Sequence, residues 1–441
     1  MNALRLATAE LRTSWQIWFG ACVVAAAAAV AASIPATLLE AALRVGGVAG
    51  LALGSIAGTA MLFTVIAVLG AFAPVMRLTI SLTGRTLALW QVVGVLPRTV
   101  TVIVLVEVSA VSATGGVIGT AAGAAVAPAL VADWLRSASG FAGITPEISW
   151  SGAPVVVVAV VFVAVVGSIR AAVGAGRTAP ALILRGAPPA ARSMVARSIL
   201  AAALVAVVAQ MLITLPGTVR SGAPSSVLIG PLIIATVATL GRAVAVPLLA
   251  AWTIVGSRMS TVFSIARSSA IWSAQRSSAA VVALLLAIGL PAAVEAGSRT
   301  VAPVVGAAHH GTGGTLILLG GPTLLGAVGG AAVTFMTSRA RHREQSIFRA
   351  MGAAPSFGIA GAVVESVSLL GTALLLATIA VVVTALAEWT VLVGSYPAVR
   401  PAVPVGTLLQ AGALCTPLVL AASVAPVLHA INDPMRSGQD R

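Results

Sequence analysis

The 441-residue sequence contains no lysine. A P-loop needs its lysine to reach the β- and γ-phosphates, so this chain cannot itself carry a Walker A nucleotide site. Charge of either sign is scarce. Only 8% of residues are charged, against about 25% in an average soluble domain, which is too few to clothe a soluble globule of this size. The two cysteines, Cys22 and Cys415, both fall inside apolar runs. There cysteine behaves as a small hydrophobe, and neither a disulfide framework nor a metal site is indicated. Aromatic residues make up 4% and the arginines lie in short clusters between apolar runs, which speaks against a base-stacking nucleic-acid surface. His309-His310 has no acidic or cysteine companion at ligand spacing, so no bound metal is expected.

What the chain does have is apolar residues, 59% of the total, far more than one or two cores can bury. Ten apolar runs of about 20 residues or more are long enough to cross a bilayer. They cover 15–37, 46–74, 100–127, 153–169, 198–216, 226–250, 278–298, 315–336, 358–387 and 403–428. The predicted fold class is therefore an all-α polytopic membrane protein of about ten transmembrane helices. The first run, after Arg5 and Arg12, reads as a retained signal-anchor, because a second span follows within a dozen residues. With the N-terminus placed inside, 19 of the 25 basic residues fall in inside segments and five in outside loops, while Arg242 lies within a run. The positive-inside rule then puts both termini in the cytoplasm, and the surplus of arginine also favours contact with anionic lipid headgroups.

The chain also repeats itself. At a spacing of 258 residues, Arg85 falls on Arg343, Trp90 on Phe348, Gly94 on Gly352, Pro97 on Pro355 and Glu107 on Glu365, without a gap. Each copy follows the second span of a four-span group, giving a 4+2+4 layout: a first repeat over 1–190, two connecting spans over 191–257 and a second repeat over 258–441. The stretch with Arg343, Glu344, Ile347, Phe348 and Met351 suits a short helix with one apolar face, lying on the membrane surface with its charged side toward the cytoplasm. Gly352 is placed to end it, and Pro355 to start the next helix. An ordinary interfacial connector would look similar.

The segment Arg343-Glu344-Gln-Ser-Ile-Phe348-Arg349-Ala-Met-Gly352-Ala-Ala-Pro355, followed by Glu365, resembles the signature of the FtsX-like (MacB-type) permeases of ABC transporters. The first copy is a degenerate version, with Thr86 in place of the glutamate and Gln91 in place of Arg349. Arg177-Thr-Ala-Pro180-Ala-Leu-Ile-Leu-Arg185 is similar to the tail that closes such units, and Asp433-Pro434-Met435-Arg436 is a weaker echo. The resemblance implies a non-catalytic permease whose coupling segments, over 77–97 and 337–355, dock on a separate cytoplasmic ATPase. Arg85, Trp90, Gly94, Pro97, Arg343, Glu344, Phe348, Arg349, Gly352 and Pro355 are the implied coupling residues. It implies no cofactor on this chain, ATP and Mg on the partner, and two ATPase copies per permease in a bacterial cytoplasmic membrane. The cargo would be hydrophobic, lipid or peptide. The large external domain of many relatives is missing, because the connections at 38–45 and 299–314 are short.

Three ionisable residues inside the runs are candidate functional groups. Glu107 and Glu365 hold equivalent places in the third and ninth spans, and each is either a mechanistic group or a cap near the inner interface. Arg242 either snorkels to the inner interface, with 243–252 continuing as a surface helix after Pro247, or forms a buried pair. Apart from these three, the spans lack the charged or broken elements expected of an ion-driven carrier. That carrier and a non-transporting ABC signalling or immunity subunit remain the alternative functions.

Overall fold

The computed structural model describes residues 15–137, 141, 143–149, 152–177, 193–220, 225–257, 261–272, 274–305, 312–340 and 355–432. Among these, every regular element is a helix. In chain order they are α1 (Trp15–Val45), α2 (Gly47–Val92), α3 (Pro97–Ser137), α4 (Gly152–Arg177), α5 (Ser193–Arg220), α6 (Ser226–Leu240) and α7 (Arg242–Trp252). There follow the single turn α8 (Ile254–Ser257), then α9 (Thr261–Trp272), α10 (Ala274–Val305), α11 (Thr312–Ala340), α12 (Pro355–Leu392) and α13 (Val405–Asn432).

Nine of these are long and apolar enough to cross a membrane, and α6 with α7 makes a tenth, broken candidate. The protein is an all-α, multi-pass membrane protein, and each of the ten apolar runs of the sequence lies on one of these candidates. Prolines sit inside many of the helices, for example Pro74, Pro128 and Pro291. Neighbouring helices in a membrane bundle can satisfy the freed backbone groups. Span hydroxyls do the same for themselves by bonding back one turn, as Ser33 Oγ donates to Ala29 O at 2.8 Å and Thr37 Oγ1 to Ser33 O at 2.7 Å.

The chain divides into two compact units, 1–191 with 311–325, and 192–310 with 326–441. In the first, α1 is the most enclosed span and packs against α2, α3 and α4. The α1–α3 contact is made by small residues: Gly115, Gly119 and Gly123, one turn apart, face the alanine-rich stretch Cys22–Ser33. Lipid supplies no hydrophobic drive between helices, so such close backbone approach is what holds them together. Along α4 the buried positions recur every fourth residue, at Val156, Val160, Ala164, Ser168, Ala172 and Gly176. Val155, Val158, Phe162, Val166 and Ile169 stand exposed, as a lipid-facing stripe requires. Beyond the predicted end of the third span, α3 continues to Ser137. Val131 and Leu135 join Leu38, Leu53 and Ala57 in an apolar cluster that Phe141, Ile144 and Ile148 of the following loop cover.

In the second unit α10 is the most enclosed span. It packs on α6, α12 and α13, and α12 in turn packs on α13. Gly326 and Gly330 of α11 lie against Ala283, Ala287 and Leu284 of α10. α6 is only 15 residues long, about 22 Å, short of the roughly 30 Å hydrocarbon core. It ends at Gly241, whose φ of +38° favours glycine, and α7 leaves at 84° to it. The break thus falls at Gly241 and not at Pro247, which is accommodated inside α7.

Candidate functional site

The first predicted coupling segment is continuous with the span before it. Between Pro74 and Gly94 no residue breaks the helix, and Val75, Met76, Thr79, Ile80, Thr83, Leu87 and Ala88 keep one face buried, so α2 runs on to Val92. At its end Val95 N–H donates to Trp90 O at 3.0 Å and Gly94 N–H to Gln91 O at 3.1 Å. This is the Schellman pattern, with Gly94 at φ +103°. Pro97 opens α3, where its missing N–H costs nothing. The turn is fastened to the end of α4: Gln91 Nε2 donates to Ala175 O at 3.2 Å, and Gly176 has no Cβ to strike Pro97 O. On the outside of this turn Leu89, Val92, Val93 and Leu96 are exposed, Val93 at 86%. Trp90 is half-buried, and Arg85 lies on α2.

In the second segment, Arg343, Glu344, Phe348, Arg349 and Gly352 lie outside the described residues. Pro355 is the first residue of α12, as Pro97 is of α3. Glu107 and Glu365 are therefore both the eleventh residues of their helices, about 15 Å from the start, and both are buried. Arg242 is exposed at the start of α7, immediately after the break.

α7 is anchored by its last residue. Trp252 Nε1 donates to Thr372 Oγ1 at 2.9 Å, and the ring occupies the space that a Cβ on Gly371 would need. Arg267 of α9 locks the elbow by donating to Thr253 Oγ1 at 3.1 Å and Ala250 O at 3.0 Å. Trp252→Phe removes the indole donor and leaves the Thr372 hydroxyl bonded only within its own helix. A cost of about 1 kcal/mol is expected, read as earlier proteolytic cleavage in the α7–α9 connection with the global melting temperature little changed.

Two further polar features were not expected from the sequence, in which the candidate ionisable span residues are Glu107, Glu365 and Arg242. One is a Glu-Ala-x-x-Arg pair present at the end of α1 (Glu40, Arg44) and of α10 (Glu295, Arg299). Glu40 accepts from Arg44 at 3.1 Å, from Ser149 N–H at 2.8 Å and from Ser149 Oγ at 3.2 Å, and Arg44 donates to Glu147 O at 2.9 Å. Glu295 pairs with Arg299 and accepts from Thr407 Oγ1, while Ala402 N–H donates to Thr300 Oγ1 at 3.4 Å. The first pair ties α1 to the connection between α3 and α4, and the second ties α10 to the first turn of α13, with Thr300 beside it reaching the α12–α13 connection. A search for Glu-x-x-x-Arg at the ends of corresponding spans would have found both. The other group is Glu388 on α12, fully buried and one residue past the predicted end of its span.

No group of three or more His, Cys, Asp or Glu side chains suited to a metal occurs among the described residues. No family model, no curated protein and no solved structure matches this chain.

Proposed function

We propose that the chain is the membrane subunit of an ATP-driven transporter of the ABC type, working with a separate ATPase in a bacterial cytoplasmic membrane with both termini inside. The carrying observation is the α2–α3 turn: an apolar tip of Leu89, Val92, Val93 and Leu96 held out from a fastened hairpin. It lies on the side where the arginine count places the cytoplasm. A tip of this kind offers an ATPase groove a rigid apolar surface, and a fastened hairpin passes motion on to α4 instead of absorbing it. The 258-residue register of Pro97 with Pro355 supports a second such element before α12, hence two ATPase copies. The cargo class is hydrophobic, lipid or peptide, since the described surface is apolar.

The test is purification of the intact complex from its own membranes, with ATP hydrolysis and native mass measured together. Val93→Asp with Leu96→Asp is expected to lower retention of the Walker A partner by at least tenfold while membrane insertion stays unchanged. Unchanged retention and hydrolysis in this double variant sinks the coupling role.

The broken span α6–α7 and the carboxyl groups of Glu295 and Glu388 in spans favour a second reading, an ion-driven carrier of the kind that uses discontinuous helices. Flux in ATPase-free proteoliposomes that follows an imposed proton gradient would select it.

A further inference from the structure

Glu388 lies on α12 one turn before its Leu392 end. It is fully buried, and neither carboxyl oxygen has a hydrogen-bond partner among the described residues. Facing it is Gly297 of α10, where an added Cβ would stand 3.1 Å from Glu388 Oε1 and 2.6 Å from the carbonyl oxygen of Ser226. Carboxyl group, bare Cα and the first turn of α6 therefore meet at one point inside the second unit. The Ser226 hydroxyl is also buried there without a partner. One turn along each of the three helices, Ile229, Val301 and Leu392 belong to a single apolar cluster with Leu215 and Val399.

An ionised carboxylate in such surroundings, with no donor and no counter-charge, is far costlier than a neutral carboxylic acid. Among the described residues, the charged or titratable ones at this end of the unit are Glu295 and Arg299 on α10, Arg220 at the end of α5, and Tyr396 and Arg400 in the α12–α13 connection. α6 carries none and α13 none before Cys415. Glu295 and Arg299 pair with each other. At a group with no solvent exposure, a proton is the species that fits.

We propose that Glu388, Gly297 and Ser226 form an occluded proton-binding site at the meeting point of α6, α10 and α12. Release requires these helix ends to separate: the Glu388 O–H bond breaks, water takes the proton, and the carboxylate is left hydrated. One proton is thus exchanged per opening of the unit. This goes beyond the transporter reading and does not depend on an ATPase partner.

Infrared difference spectroscopy of the full chain in lipid nanodiscs tests it. At neutral pH, Glu388→Gln should remove one carboxylic C=O band and Glu388→Asp should displace it. On transfer to D2O the band should shift at least tenfold more slowly than the exchange of an exposed carboxylic acid. The proposal is overturned if both variants leave the carboxylic region as in the wild type, if the band exchanges as fast as an exposed acid, or if added Na+ or K+ abolishes it, which would make this a metal-cation site. Should Glu388→Gln fold poorly, the displaced band of Glu388→Asp and the wild-type exchange rate decide alone.

Discussion

Replacing Gly119 with valine is expected to abolish the folded form of the first unit. A Cβ at this position would stand 2.1 Å from the carbonyl oxygen of Ala26, 2.7 Å from its carbonyl carbon and 2.8 Å from its Cα. All three are backbone atoms of α1, so no side chain can swing aside and the helices must separate by an ångström or more. Separation also opens the contacts at Gly115 and Gly123, whose added Cβ atoms would lie 2.4 Å from Cys22 O and 2.3 Å from Ser33 Oγ. Overpacking by a single methyl costs about 1–3 kcal/mol in a well-packed core. Gly119→Ala should show a cost of that order, and Gly119→Val, with two further methyl groups, should lower the yield of monodisperse protein more than tenfold. Gly58 on α2, where nothing lies within 4 Å, is the control, and Gly58→Ala should be neutral or slightly stabilising through helix propensity. A Gly119→Val protein that melts with the wild type would mean that the α1–α3 contact does not hold this unit.

The same contact shows what sequence can and cannot reveal in a membrane protein. Spans were legible because hydrocarbon demands about 20 apolar residues whatever the neighbours are, and the helices fall where the apolar runs lie. Helix ends were less legible. α2 and α3 run past the ends of their apolar runs at 74 and 127 because helix continuation past the hydrocarbon depends on whether a buried face persists, as it does from Val75 to Ala88 and at Val131 and Leu135. Hydropathy averages do not see that periodicity. No broken span was expected from the sequence, yet the sixth breaks at Gly241. A bundle tolerates Pro247 inside a helix, whereas the backbone of Gly241 takes up the turn.

Buried carboxyl groups were legible only where repetition pointed to them. Glu107 and Glu365 stood out through their common register with Pro97 and Pro355, and both prove buried at the same helical position. Glu295 and Glu388 have no such counterpart at that spacing. The Glu295–Arg299 pair aligns with Glu40–Arg44 only after a slip of three residues, close to one helical turn, so a gap-free comparison passes over it. What Glu388 faces is set by the bare Cα of Gly297 and the start of α6, and contacts between such distant segments leave no local trace in the sequence.

The two Glu–Arg pairs are alike in sequence but should differ in what their loss costs. Glu40 keeps two donors besides its arginine contact, Ser149 N–H and Ser149 Oγ, and its side chain is 18% exposed to solvent. Glu295 is only 8% exposed and, once Arg299 is gone, retains Thr407 Oγ1 alone among the described residues. Removing one partner of a buried pair costs about 3–5 kcal/mol, because a charge is left buried without compensation. The Arg299 side chain is 47% exposed, so water screens part of the interaction and the lower end of that range applies. Arg299→Ala is therefore expected to destabilise the protein by about 3 kcal/mol, and Arg44→Ala by under about 1 kcal/mol. If the stranded charge is the cause, neutralising it should undo the damage: Glu295→Gln added to Arg299→Ala should restore most of the loss, because the glutamine carbonyl still accepts from Thr407. Thermal inactivation of the monodisperse protein in nanodiscs measures all three variants against the wild type. Equal losses for Arg299→Ala and Arg44→Ala, or no recovery in the double variant, would show that the α10 pair stabilises through packing of the arginine stem and not through charge.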